Sequence, residues 1–276
     1  MKVDVEGATR ILGRVLICAG SDSGGGAGIQ ADIKAVTALG GFASTALTVL
    51  TAQNTEGVHG IHEIPLDFVD QQIRVVLEDI GADCVKTGML HSAGVIHAVI
   101  EALEGVALDI PLIVDPVMVA KGGHNLLDPA ALGALRDEML PRARLVTPNI
   151  PEAELLTGLE ITGLDGMRRA ADRLLTMGPE AVLLKGGHME GDELTDLLVT
   201  SEGAESFSGP RIATRHTHGT GCTMASAIAV GIAQGLTISR AVGRARDYVN
   251  IAILMAPGFG AGHGPLNHAH TVRAGA

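Results

Sequence analysis

Tryptophan is absent from the 276 residues, and aromatics amount to one tyrosine and four phenylalanines. The core must therefore be built from Val, Ile, Leu, Ala and Met. Stacking platforms for single-stranded nucleic acid are essentially missing. Positive charge is also scarce, with 20 Lys and Arg against 31 Asp and Glu, a formal net charge of −11. Such a surface repels a polyphosphate backbone and argues against nucleic acid or an anionic membrane as partner. A small anionic substrate stays open if Mg²⁺ and a few lysines neutralise it locally. The three cysteines, 18, 84 and 222, show no C-x-x-C pairing and no metal spacing. Cys18 and Cys84 lie in apolar runs and read as reduced core residues, which places the chain in the cytoplasm. No uninterrupted apolar run reaches ~18 residues, and no apolar stretch follows the N-terminal residues, so neither a membrane span nor a secretory signal is expected. G-x-x-x-x-G-K-[ST], the protein-kinase motif set and H-E-x-x-H are all lacking.

What is present is an apolar fraction of 46% and a regular alternation of two patterns. Short β-branched runs, Arg14–Ala19, Ser44–Leu50, Cys84–Thr87, Leu112–Asp115, Leu145–Thr147 and Ala181–Lys185, predict parallel strands covered on both faces. Between them the periodicity predicts helices over Gly28–Leu39, Asp67–Ile80, Ala93–Leu103, Pro129–Glu138, Pro151–Leu156 and Gly166–Met177. Asp128 and Asp165 are placed as N-caps. Leu194 to Ala213 predicts short antiparallel strands at one edge, and Thr223–Gln234 and Ser239–Met255 predict the last helices. This α/β order predicts one domain over residues 1–276, with helices on both faces of a mostly parallel sheet. Its ordered core runs from about 13 to 265, between mobile ends.

The chemistry-bearing residues cluster at the predicted strand ends. His216-Thr-His-Gly-Thr-Gly-Cys222 leads into a small-residue helix. Its turn gathers free amides and the positive end of a helix dipole, which suits a phosphate; a plain glycine-rich helix start is the competing reading. Gly20 to Gly28 follows the first strand, and Gly26-Ala-Gly-Ile-Gln-Ala31 formally matches G-x-G-x-x-A. No acidic residue stands between Lys34 and Thr55 to hold a ribose, so a small-ligand loop around Asp22, or a capped turn, is favoured over a dinucleotide site. Gln53 ends the second strand with a donor and an acceptor that complement an aminopyrimidine edge. Asp115, Lys121, Asn149, Glu152 and Lys185 stand at further strand ends. Hard oxygen ligands there suit Mg²⁺, with helix capping the ordinary alternative for Asn149 and Glu152.

Taken in order, Ala19-Gly-Ser-Asp-Ser-Gly-Gly-Gly-Ala-Gly-Ile-Gln-Ala-Asp32, Thr51-Ala-Gln-Asn-Thr55, Lys86-Thr-Gly-Met-Leu90, Asp115-Pro-Val-Met118, Val146-Thr-Pro-Asn149 with Pro151-Glu-Ala153, Lys185-Gly-Gly-His188 and Thr217-His-Gly-Thr-Gly-Cys222 resemble the ribokinase-like superfamily. Within it the chain closely resembles the hydroxymethylpyrimidine/phosphomethylpyrimidine kinases of thiamine biosynthesis. The resemblance implies a three-layer α/β/α fold, usually a homodimer. It also implies ATP- and Mg²⁺-dependent phosphorylation of an aminopyrimidine alcohol and then of its monophosphate. Gln53 would read the pyrimidine, with Gly20, Asp22, Ala27, Met89 and Val117 lining the pocket. Asn149, Glu152 and Asp115 would orient Mg²⁺–ATP, the last two through water. Lys185 would face phosphates, and Gly219, Thr220, Gly221 and Cys222 would form the anion hole. A pyridoxal kinase of the same fold is the nearest alternative, and a non-catalytic sensor on that fold a more distant one. Most of the superfamily has Asp where this chain has Cys222. A thiol at a helix N-terminus is expected to have a lowered pKa, and so to act as base or positioner for the substrate hydroxyl.

Overall fold

A computed structural model describes residues 12–107, 109–119, 126–189 and 191–272. Lys121 lies outside the described residues. Eight strands form the central sheet in the order β10-β9-β8-β7-β6-β5-β1-β2. They are β1 (Arg14–Ala19), β2 (Phe42–Leu47), β5 (Cys84–Thr87), β6 (Leu112–Val114), β7 (Leu145–Val146), β8 (Ala181–Leu184), β9 (Glu193–Thr200) and β10 (Gly203–Pro210). Pairing is parallel from β2 through β8 and antiparallel across β8, β9 and β10.

Alternation along each strand divides the core into two layers. Leu16, Cys18, Val85, Val114 and Val146 point to one face. There they meet α2 (Leu66–Asp79), α3 (Ala93–Val106), α5 (Ile150–Thr157) and α6 (Gly163–Leu175). Val15, Ile17, Ala19, Cys84 and Ile113 point to the other face, against α1 (Gly28–Ala38), α7 (Thr220–Ala233) and α8 (Ile238–Leu254). From β1 the chain passes through α1 to β2 on one side, while β5 lies on the other. The crevice beyond the carboxyl ends of β1 and β5 is thus the switch point where open α/β sheets bind ligands.

Three expectations needed correction. The predicted strand Ser44–Leu50 is two strands, because the chain leaves the sheet at Thr48. That residue is fully buried, its N–H donating to Ala19 O (3.2 Å) and its hydroxyl to Met89 O (2.7 Å). Beyond it β3 (Val49–Gln53) pairs with β4 (Val58–Glu63) in a separate antiparallel hairpin over the sheet's end. The predicted helix over 129–138 is irregular. It starts as a 3₁₀ turn, Pro129–Ala131, passes through one α-turn, α4 (Leu132–Ala134), and widens to a π segment, Leu135–Met139, before a 3₁₀ turn that includes Pro141. Proline has no N–H to continue the ladder there. Asp128 caps this stretch as expected, accepting from Ala130 N (3.0 Å). Asp165 instead sits inside the first turn of α6, whose N-cap is Thr162; its charge faces the positive helix end without capping it.

The antiparallel edge is bolted to the rest by one buried carboxylate. Asp196 on β9 accepts from Gly186 N (2.9 Å), just past β8, and from Arg246 Nε on α8 (2.8 Å). A Cβ at Gly186 would lie 1.9 Å from Thr195 O, so the turn after Lys185 presses on β9 with no room for a side chain. Removing the carboxylate leaves a buried guanidinium without its counter-ion and an amide without its acceptor. Asp196→Ala should therefore lose about 3–5 kcal/mol in urea unfolding. Asp196→Asn, which keeps an acceptor for Gly186, should lose clearly less.

Candidate active site

At the switch point the described residues enclose a cavity of about 150 Å³. It is lined by Gly20, Asp22, Ala27, Gln53, Met89, Asp115, Val117, Asn149, Glu152, Lys185 and the run Gly219, Thr220, Gly221 and Cys222. The structure thus brings together the residues singled out for the pyrimidine, the nucleotide and the anion hole, Lys121 lying outside the described residues. It adds Lys86 and His218.

Asp22 organises the loop after β1. Its Oδ1 accepts from Gly24 N (2.8 Å), and its Oδ2 accepts from Gly26 N (3.0 Å) and Ala27 N (2.8 Å). His218 Nε2 lies 2.8 Å from the same Oδ2. Burial opposes its charge, but His218 and the Ala27 and Gly24 N–H groups hold the carboxyl below its usual range. Asp22 thus shapes the pocket wall, with Oδ2 taken up by Gly26, Ala27 and His218 and Oδ1 by Gly24. Gln53 stands at the end of β3, with Thr51 Oγ1 donating to its Oε1 (3.2 Å) and its Nε2 3.4 Å from His218 Nε2. Met89 and Val117 supply apolar walls.

The loop at α7 meets this first loop backbone to backbone. Gly219, the N-cap of α7, has φ +82°, and a Cβ there would fall 1.8 Å from Gly26 O. Thr220, Gly221 and Cys222 form the first helical turn; Thr220 N donates to Thr217 O at 3.4 Å, while the amides of Gly221 and Cys222 have no acceptor one turn back. They face a cluster of charge. Lys185 Nζ donates to Asp115 Oδ1 (3.0 Å), which also accepts from Thr147 Oγ1 (2.9 Å). Asn149 and Glu152 form a capping box at the start of α5, Asn149 N donating to Glu152 Oε2 (2.8 Å) and Glu152 N to Asn149 Oδ1 (2.9 Å). Burial works against charge on Lys185, yet Asp115 and Glu152 outweigh it and raise its pKa. Asp115 is likewise buried but held low by Lys185 and Lys86. Glu152 is pushed up to about 7, chiefly by burial and further by Asp115, with Lys185 pulling the other way. Two buried carboxylates sharing one lysine are under-neutralised, a donor set that fits a hard, largely hydrated cation such as Mg²⁺.

The direction at Cys222 is opposite to that expected: burial pushes the thiol up to about 12, with Asp32 and Asp115 adding to the rise and Lys86 opposing it.

A second cavity of about 260 Å³ shares Asn149, Lys185, Thr220 and Gly221 with the first. It extends past Gly187 and Arg211 to Asn250 and Ile253 on α8. Two hollows therefore meet at the turn that opens α7.

A family model described as Phosphomethylpyrimidine kinase matches residues 22–267. The chain belongs to the phosphomethylpyrimidine kinase family. It is 53% identical over 256 residues to the thiamine biosynthesis bifunctional protein ThiED of Geobacter sulfurreducens, covering 93% of this chain and 52% of that longer protein. It is 48% identical over 254 residues to the hydroxymethylpyrimidine/phosphomethylpyrimidine kinase of Streptomyces coelicolor, covering 92% of this chain and 93% of its relative. The solved ADP complex of Bacillus subtilis pyridoxal kinase superposes with a TM-score of 0.86 at 34% identity, covering 94% of this chain and 98% of that one. The three-layer architecture with its antiparallel edge is thus the ribokinase-like one.

Glu152 gives this chain a measurable pH signature. Its folded pKa of about 7 exceeds the ordinary 4.5, so between these values the folded state holds a proton that the unfolded state has released. Stability therefore falls as pH rises through that window. Melting curves from about pH 5 to about pH 8 should show a steeper loss of Tm in the wild type than in Glu152→Gln. Parallel slopes would mean that Glu152 titrates normally.

Proposed function

We propose that this chain transfers the γ-phosphoryl group of ATP to the hydroxymethyl oxygen of 4-amino-5-hydroxymethyl-2-methylpyrimidine, and then phosphorylates the monophosphate, in thiamine biosynthesis. The names of its relatives support this reading. The observation that carries it is the shared turn at 219–222, with an apolar, Gln53-edged cavity on one side and a second cavity on the other. The flat heterocycle takes the first cavity, between Met89 and Val117, and the nucleotide takes the second.

In this reading the hydroxymethyl oxygen attacks the γ-phosphorus while the bond to the β,γ-bridging oxygen breaks and ADP leaves. The first-turn amides of α7 and the Lys185 ammonium receive the charge on the transferring group, already oriented before substrate arrives. Asp115 and Glu152, with Asn149 beside them, would hold Mg²⁺, largely through water. Bound there, the ion would neutralise phosphate charge. In a loose transition state the attacking hydroxyl loses its proton late, so placement outweighs a strong base. A protonated Cys222 fits that requirement as a positioning group. Residence in the cytoplasm and assembly as a homodimer belong to the same proposal; the three free cysteines support the first, and light scattering tests the second.

A pyridoxal kinase is the second reading, favoured by the superposition on the Bacillus subtilis enzyme. Mass spectrometry of products after incubation with ATP, Mg²⁺ and either alcohol, followed by kcat/KM for each, tests both. The pyrimidine should be preferred; a preference for pyridoxal would overturn the assignment. ADP release with neither alcohol turning over would leave the fold without this chemistry. For Cys222, kcat should stay within about 3-fold in Cys222→Ser and fall about 10-fold in Cys222→Ala. Losses beyond about 10³-fold in both variants would restore the thiol as general base.

A further inference from the structure

One buried ion pair lies directly behind the anion-binding turn and has no part in the scheme above. Lys86 on β5 and Asp32 on α1 are both fully buried, with Lys86 Nζ 3.0 Å from Asp32 Oδ1 and 2.9 Å from Oδ2. Ser226 on α7 completes the group, its hydroxyl donating to Asp32 Oδ1 (2.7 Å). Helix spacing places this group. Asp32 lies four residues, about one turn, inside α1 from Gly28, and Ser226 lies four residues inside α7 from Cys222. Three elements whose ends build the site, β5 before Met89, α1 after the Asp22 loop and α7 after Gly219, are therefore tied together one turn below the cavity. Lys86 itself lines that cavity.

As a stabilising device the arrangement is a poor choice. Taking two charges out of water costs about as much as their attraction returns, and an apolar pair of similar volume generally serves as well or better. What an apolar pair does not supply is a fixed positive charge under the two helix N-termini, together with a hydrogen bond that sets their spacing.

We propose that Lys86, clamped by Asp32 and Ser226, is a positioning residue for phosphoryl transfer: it fixes the first turns of α1 and α7 against each other and supplies positive charge behind Cys222. Its field lowers the pKa of the thiol against the effect of burial, and the paired Asp32 offsets part of that. Lys86, fully buried and paired with Asp32, acts through the turn it supports. The inference rests on the kinase reading for its kinetic consequence, whereas its electrostatic consequence needs no substrate.

The test is the double variant Lys86→Met/Asp32→Asn, which leaves no lone buried charge and keeps an acceptor for Ser226. It should fold with a Tm close to the wild type. Its kcat should fall by about 10-fold or more while KM for ATP and for the pyrimidine changes less than about 3-fold. Iodoacetamide alkylation of Cys222, followed by peptide mass spectrometry at one fixed alkaline pH, should be slower in the variant by about 3-fold or more. Cys18 and Cys84, buried in the core, provide the unreactive background. A folded variant with kcat within about 3-fold of wild type, or with an unchanged alkylation rate, overturns the proposal. If the double variant does not fold, Ser226→Ala decides: a fall in kcat of about 3-fold or more at constant KM supports the clamp, and wild-type kcat overturns it. Should wild-type protein phosphorylate neither alcohol, the kinase reading falls, and the alkylation rates still judge the placement of charge.

Discussion

The contact on which the site depends is between two backbones. Gly219 and the carbonyl of Gly26 approach so closely that a methyl group between them would overlap the oxygen. The loop closing the β1 side of the cavity and the turn opening α7 thus share one surface. Neither is stiff by itself, since glycine-rich segments carry high conformational entropy. Each is fixed by a partner. Asp22 gathers three amides of the first loop and holds His218 of the second, and the left-handed Gly219 lets α7 start at that point. A protein of net charge −11 can accept a polyphosphate here because the local field comes from oriented amides, Lys185 and Lys86, independently of the overall balance.

The same density of charge makes the empty site costly. Asp22, Asp32, Asp115 and Glu152 are all buried, as is Lys86, with Lys185 nearly so. Asp32 has its own cation and a hydroxyl, and Asp22 has amides and a histidine. Asp115 and Glu152 must share Lys185, and Glu152 shows the shortfall by keeping its proton to about pH 7. Unrelieved charge of this kind is stored free energy that a bound cation or nucleotide can release. The capping box at Asn149 fits the same account. It engages the side-chain oxygen of Asn149 and one oxygen of Glu152, and Met118 N–H also meets the Glu152 carboxylate, so both side chains are locked before any ligand arrives. Of the two competing readings of the sequence, the helix cap is present in the structure, and it leaves the proposed ligand-holding role to the same residues.

Much of this was legible in the chain because strand ends announce themselves. Gly20, Asp115, Asn149 and Lys185 each follow a short apolar run, and a doubly wound sheet puts such ends on one edge, to which the β3–β4 hairpin adds Gln53. Three things were hidden by their dependence on distant partners. The break at Thr48 is made by Ala19 and Met89, so local propensity ran the strand on to Leu50. The Asp32–Lys86–Ser226 group spans 194 residues, and each member alone reads as an ordinary helix or strand residue. The pKa of Cys222 was argued from the helix dipole, a local effect, while burial, which has the opposite sign, depends on what packs around the turn.

That reversal bears on why a cysteine can stand where most of the superfamily has an aspartate. A protonated thiol adds no negative charge to a turn already facing Asp115, Glu152 and an incoming polyphosphate, whereas another carboxylate would compete for Lys185. In the proposed reaction the pocket walls would hold the reacting oxygen and the amides the transferring group, so the remaining demand on position 222 would be shape and a weak donor. Choice of alcohol would then fall to the walls at Gln53, Met89 and Val117, which stand on other elements than the turn.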